Sequence, residues 1–198
     1  MNCIVSVGIG WKYPEYAQRL KKSCENYGID HFIWINEYPP GARPHQESPY
    51  GFKIHALKYA IEQGYTNIIW CDSPAHIIRD PQPLFDTIKE RGYYFVRDIY
   101  PLDVFVDNAS LQRFGRDREW AKKVYLGCGT LFGLNIKHDI GKKCFDFYLN
   151  WEIKNWYDSK RHDEPLMTYL VDEFDLIYSE TGEFFQTKDQ PVIISGGW

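Results

Sequence analysis

Apolar residues along this chain fall into two rhythms that alternate almost from end to end. Cys3 to Ile9 is a short β-branched run, as expected of a strand buried on both faces. Behind it Tyr13, Tyr16, Ala17, Leu20, Cys24 and Tyr27 recur at spacings of three and four. They predict a helix with one apolar face, Pro14 in its first turn and Gly28 as its stop. His31 to Asn36 reads as a second strand, and residues 37–50, rich in Pro and Gly, as a long loop of the kind that often carries function. A helix from about Gly51 to Gln63 stops at Gly64. Asn67 to Asp72 is then an apolar strand that ends abruptly in a carboxylate. His76 to Ile78 is a candidate short strand, Leu84 to Arg91 a helix, and Tyr93 to Val96 a further strand. Short helical pieces are expected at 107–113 and 117–123, and a glycine-interrupted strand from Leu126 to Asn135. Ile140, Cys144, Phe147, Tyr148 and Trp151 mark a long amphipathic helix. A last helix covers about Asp163 to Phe174, before a short strand and a tail.

Strand–helix alternation of this kind predicts an α/β fold, a three-layer sandwich around a mainly parallel sheet. At 198 residues the expectation is one domain, residues 1–198. Ligands of such sheets gather beyond the carboxyl ends of the strands, near the topological switch point. Gly8-Ile9-Gly10, Asn36 and Asp72 all fall at such ends, which places a site before any motif is invoked.

Composition narrows the possibilities. The formal charge of −4 argues against a general nucleic-acid binder, which would carry a basic face. Five cysteines, odd in number and without a C-x-x-C pair, argue against a disulfide framework or structural zinc, and a reducing, cytoplasmic setting is expected. No stretch approaches the roughly 18 apolar residues of a membrane span. The aromatic share is high at 17%, which suits sugar or base stacking but equally a core filled with rings.

Two segments carry candidate chemistry. In Trp70-Cys71-Asp72-Ser73-Pro74 a carboxylate ends a strand, where it could hold a divalent ion beside phosphates or simply begin a turn. Arg161-His162-Asp163-Glu164 opens the last helix. Acidic residues there suit the helix dipole, yet the cluster also offers a cation, an imidazole and two carboxylates within one turn. Successive helical positions differ by about 100°. Asp163 is therefore expected above the apolar face of Leu166, Met167 and Leu170, and Glu164, on the line of Thr168, in solvent. No P-loop pattern exists, and Gly8-Ile9-Gly10 lacks the third glycine of a dinucleotide fingerprint. Lys53, in the first turn of its helix, is a candidate phosphate contact.

The order of these segments resembles the GT-A-fold glycosyltransferases, and small nucleotide-diphospho-sugar transferase-like proteins in particular. The resemblance is carried by Phe52-Lys53-Ile54-His55-Ala56 with Gly64-Tyr65, Ile68 to Ser73, Asp107 to Gly115, the Gly127 to Asn135 strand, and Arg161 to Glu164. It implies transfer of a sugar from a nucleotide diphosphate sugar, most naturally a UDP-sugar, to an acceptor hydroxyl on a glycan, lipid, protein or modified nucleic acid. It implies donor contacts from Gly8, Lys12, Lys53, Asp72, Ser73 and Arg161, with Asp163 assisting the acceptor. One departure matters: many such enzymes carry Asp-x-Asp at the strand end, where this chain has Asp72-Ser73-Pro74. That leaves three possibilities: Mn²⁺ or Mg²⁺ held by Asp72 with His162 or His76, a metal-free enzyme, or an inactive one. A nucleotidyltransferase, a nucleotide-sugar hydrolase and a non-catalytic sugar-nucleotide or glycan-binding module are the alternative readings.

Overall fold

A computed structural model describes residues 1–179 and 193–195. In chain order its elements begin with β1 (Asn2–Gly8), α1 (Tyr13–Asn26), β2 (His31–Ile35), α2 (Phe52–Glu62) and β3 (Asn67–Cys71). There follow β4 (Ala75–Ile77), α3 (Gln82–Arg91), β5 (Tyr93–Pro101), α4 (Asn108–Arg113) and α5 (Arg118–Ala121). Last come β6 (Tyr125–Asn135), α6 (Asp139–Lys154), α7 (Glu164–Glu173) and β7 (Ile193–Ser195). Of the short strand and tail expected after the last helix, residues 175–179 are described, with Ser179 bridging Val96, and β7 pairs with β4; residues 180–192 and 196–198 lie outside the described residues.

The main sheet has the order β2-β1-β3-β6-β5. β1 pairs in parallel with both β2 and β3, while β6 runs antiparallel to β3 on one side and to β5 on the other. Four of the five strands therefore point one way, with β6 reversed between β3 and β5. β3 is buried along its whole length, and past Asn67 its sequence is continuously apolar, as burial on both faces requires. Side chains alternate between the two faces. Cys3, Val5, Ile68, Trp70 and Phe132 join one core under α2, α6 and α7, and Ile4, Ile69, Cys71, Tyr94 and Leu131 join another against α1 and α3. The expected three layers result.

The glycines of β6 set how closely α7 approaches. A side chain at Gly127 would collide with Met167, and one at Gly129 would press on Asp163, Lys53 and Glu164. Gly127 and Gly129 share a face of the strand, so α7 settles directly on it. Pro165 to Val171 are buried without interruption, and Thr168 accepts from the Gly127 amide at 3.0 Å and donates to the Tyr125 carbonyl at 3.1 Å. No helix among the described residues is long and apolar enough to cross a membrane. All five cysteines are free.

Candidate active site

A cleft of about 420 Å³ opens beyond the carboxyl ends of β1 and β3. Its floor is Val7, Ile9, Trp70, Asp72 and Ser73, and one wall comes from the 37–50 loop and the start of α2 through Tyr38, His45, Gln46, Tyr50 and Phe52. Gly10 and Tyr13 close the other side. Mostly apolar and aromatic walls around a few polar groups are what a small-molecule site requires. Backbone strain gathers here too. Tyr50, in the wall, has φ +63°; His162, whose ring meets Tyr50 at 5.6 Å, has φ +51°; and Trp11, next to Gly10, has φ +38°. Bulky residues held in the left-handed region are uncommon outside functional sites.

Asp72 stands one residue past β3, as expected. Because alternate strand residues share a face, the Trp70 indole lies beside it and donates to its Oδ1 at 2.8 Å. Lys53 reaches the same oxygen from α2. Its side chain is 2% exposed, and its ammonium lies 3.3 Å from Asp72 Oδ1, 2.8 Å from Asp163 Oδ2 and 2.8 Å from the Gly129 carbonyl. The Asp163 contact is an ion pair rather than an aligned hydrogen bond. Burial opposes the charge on Lys53, but Asp163 and Asp72 outweigh it and hold the pKa above the ordinary lysine value. Burial raises the Asp72 pKa, and Lys53 pulls it back. Lys53, expected at a phosphate, has internal partners in this structure. It lies on the buried stripe of α2 with Ala56, Leu57 and Ala60, and its charge is satisfied inside the protein.

Of the paired acids of the last helix, Asp163 follows expectation and Glu164 departs from it. Asp163 faces inward, as its place above the apolar face requires, and is committed to Lys53. Glu164 does not meet open solvent, because α7 has no solvent face along the Thr168 line. Its side chain is about a quarter exposed, and its Oε2 is buried without a hydrogen-bond partner among the described residues, 3.7 Å from Arg161 Nη1. Burial, helped by the charge of Asp163, lifts its carboxyl to about 7.

The other expected residues are scattered more widely. Gly8 serves packing: a side chain there would strike Tyr13 and Ala17, so it lets α1 cross β1 while its neighbours line the cleft. Ser73 is buried at the cleft floor. Lys12 directly precedes α1, with its ammonium 5.2 Å from the exposed Trp11 ring. Arg161 stacks its guanidinium 4.4 Å from the Phe105 ring. His162 joins His45 and Tyr50 in an aromatic cluster, and His76 lies in β4 opposite β7.

The residues present do not fit a divalent ion. Among the described residues no three His, Cys, Asp or Glu side chains converge as ligands. The Asp72 and Asp163 carboxylates already share an ammonium, and Ser73-Pro74 stands where a second carboxylate would be needed.

One residue went unflagged in the sequence. Glu152, 2% exposed, accepts from Arg43 Nε at 3.2 Å, Arg43 Nη2 at 2.8 Å, Ser48 Oγ at 2.5 Å and Tyr157 OH at 2.7 Å. His55 Nε2 lies 3.7 Å away. Burial would raise its pKa, yet the donors of His55, Ser48, Tyr157 and Arg43 prevail and hold it at about 2. This carboxylate ties the 37–50 loop, and with it the aromatic wall of the cleft, to α6. Its signal was there: Cys144, Tyr148 and Glu152 recur every four residues, so a charge sits on the buried stripe of α6.

No protein-family model matches the chain, and no curated protein matches it in sequence. Solved structures do share its fold. A glycosyltransferase involved in the glycosylation of the major capsid of PBCV-1 superposes with a TM-score of 0.55 at 10% identity, over 98% of this chain and 93% of that one. The galactosyltransferase LgtC, solved in complex with donor and acceptor sugar analogs, superposes with a TM-score of 0.51 at 14% identity, over 98% and 86%. The chain thus has the GT-A-like fold of these glycosyltransferases.

Proposed function

We propose that the chain transfers a sugar from a nucleotide diphosphate sugar to an acceptor hydroxyl, with a UDP-sugar the first donor to test. The observation that carries this reading is the cleft at the strand ends, with Asp72 on its floor, in a fold shared with two glycosyltransferases. In this reading the rings of Tyr38, Tyr50 and Phe52 flank the base or sugar, and Asp72 accepts from a ribose or sugar hydroxyl. Lys53 and Asp163 act behind it, fixing Asp72 in place. Glu164 rather than Asp163 takes the acceptor proton, since Asp163 is ion-paired with the buried Lys53 while Glu164 is partly exposed and burial lifts its carboxyl to about 7. The acceptor oxygen attacks the anomeric carbon, the bond to the diphosphate breaks, and the nucleoside diphosphate leaves with the electron pair.

A thermal-shift panel of nucleotide sugars tests the reading. A ligand at 100 times its Kd should add about 2.7 kcal/mol of apparent stability. Turnover of the stabilising donor should then rise when acceptors are added. Donor consumption that is indifferent to every acceptor points to a hydrolase, and no stabilisation by any nucleotide sugar rejects the reading.

A further inference from the structure

We propose that the Lys53 ammonium is the built-in cation of this centre, seated between Asp72 and Asp163 where a divalent ion would otherwise bind, so that the donor is handled without added metal. The geometry is complete in itself. The ammonium donates to the Gly129 carbonyl at 2.8 Å and is ion-paired with Asp163 Oδ2 at 2.8 Å and with Asp72 Oδ1 at 3.3 Å. The Tyr50 and Trp70 rings stand 5.0 and 5.4 Å from the nitrogen and favour a positive charge in that position. Asp72 Oδ1 is further engaged by the Trp70 indole, so its lone pairs are turned to internal donors.

A metal ion entering here would have to expel a side chain that is almost wholly buried and carries its own charge. Gly129 belongs to the same design. Its missing side chain leaves room for Asp163, Lys53 and Glu164, which would lie 3.1, 3.3 and 3.4 Å from a β-carbon at that position. The fixed cation offsets one of the two carboxylate charges and so lessens the repulsion of an anionic ligand at the floor of the cleft.

The catalytic consequence rests on the glycosyl-transfer reading; the ion-binding statement does not. Two measurements therefore separate them. Purified protein is titrated with MnCl₂ alone, following free Mn²⁺ by its electron paramagnetic resonance signal. The wild type should leave that signal undiminished, whereas Lys53→Met, which frees both carboxylates, should deplete it with one ion per chain. In parallel, UDP affinity of the wild type is measured calorimetrically in EDTA and in MnCl₂, and the two dissociation constants should agree. One-to-one Mn²⁺ binding by the wild type overturns the proposal, as does loss of UDP binding in EDTA. A folded Lys53→Met protein that gains no Mn²⁺ site also overturns it. If Lys53→Met fails to fold, the wild-type titrations decide alone. If UDP binds under neither condition, it is the donor reading that fails, and the Mn²⁺ result still judges the role of Lys53.

Discussion

Replacing Glu152 by Gln keeps the side chain's shape and removes the charge on which Arg43, Ser48 and Tyr157 converge. The cost follows from the acid constant. The carboxyl falls from its ordinary 4.5 to about 2 in the folded protein, because donated hydrogen bonds outweigh burial. At about 1.36 kcal/mol per unit, that preference amounts to about 3 kcal/mol at neutral pH. The sign is that of a depressed carboxylate: the stabilisation is present in full above about 4.5 and disappears as the pH falls toward about 2. Urea unfolding at pH 7 should show the difference directly. With a slope of about 2 kcal/mol per molar, the midpoint of Glu152→Gln should lie about 1.5 M below the parent's. Repeated in acid, the gap between the two proteins should close as Glu152 protonates. Amide exchange in the 37–50 loop should quicken in the variant more than in β3. A midpoint unchanged at pH 7, or a gap that persists at the lowest pH where both fold, would refute the argument.

Three further outcomes follow from the same contacts. Gly127→Ala should cost about 1–3 kcal/mol in a thermal or urea melt, because α7 must lift from β6 to admit the methyl group; an unchanged melt would mean that the helix is not seated there. Asp163→Asn should destabilise the protein by more than Glu164→Gln does, since only the former strips a partner from the buried Lys53; equal melts would contradict the ion pair. Acceptor-dependent turnover should climb with pH through about 7 as Glu164 ionises, and Glu164→Gln should lower it about 10²–10⁴-fold and abolish the climb; a variant with the parent's rate and pH profile would remove Glu164 from the chemistry.

Much of the framework was legible because it depends on local pattern. The continuous apolar run of Ile68 to Cys71 marked a strand buried on both faces, and its abrupt end placed Asp72 at the cleft. What the sequence hid were partners distant along the chain. Lys53 and Glu152 each stand on an apolar helical stripe, which indicates a buried charge but not its counterion. Lys53 finds Asp163, and Glu152 finds Arg43, each about a hundred positions away. Glu164 was placed in solvent because helical periodicity assumes an open side, and the glycines of β6 let the sheet close it. Gly8 was expected at the donor from the resemblance alone; what the structure adds is that its missing side chain makes room for α1.

The central claim, that a nucleoside diphosphate binds in the cleft floored by Asp72, is tested most directly by calorimetric titration of UDP and other nucleoside diphosphates into the parent protein and into Asp72→Asn. The account predicts one site per chain for at least one nucleotide, with affinity reduced about tenfold or more in the variant, equivalent to about 1.4 kcal/mol. Equal affinity in the two proteins, or no binding of any nucleoside diphosphate to the parent, would contradict it.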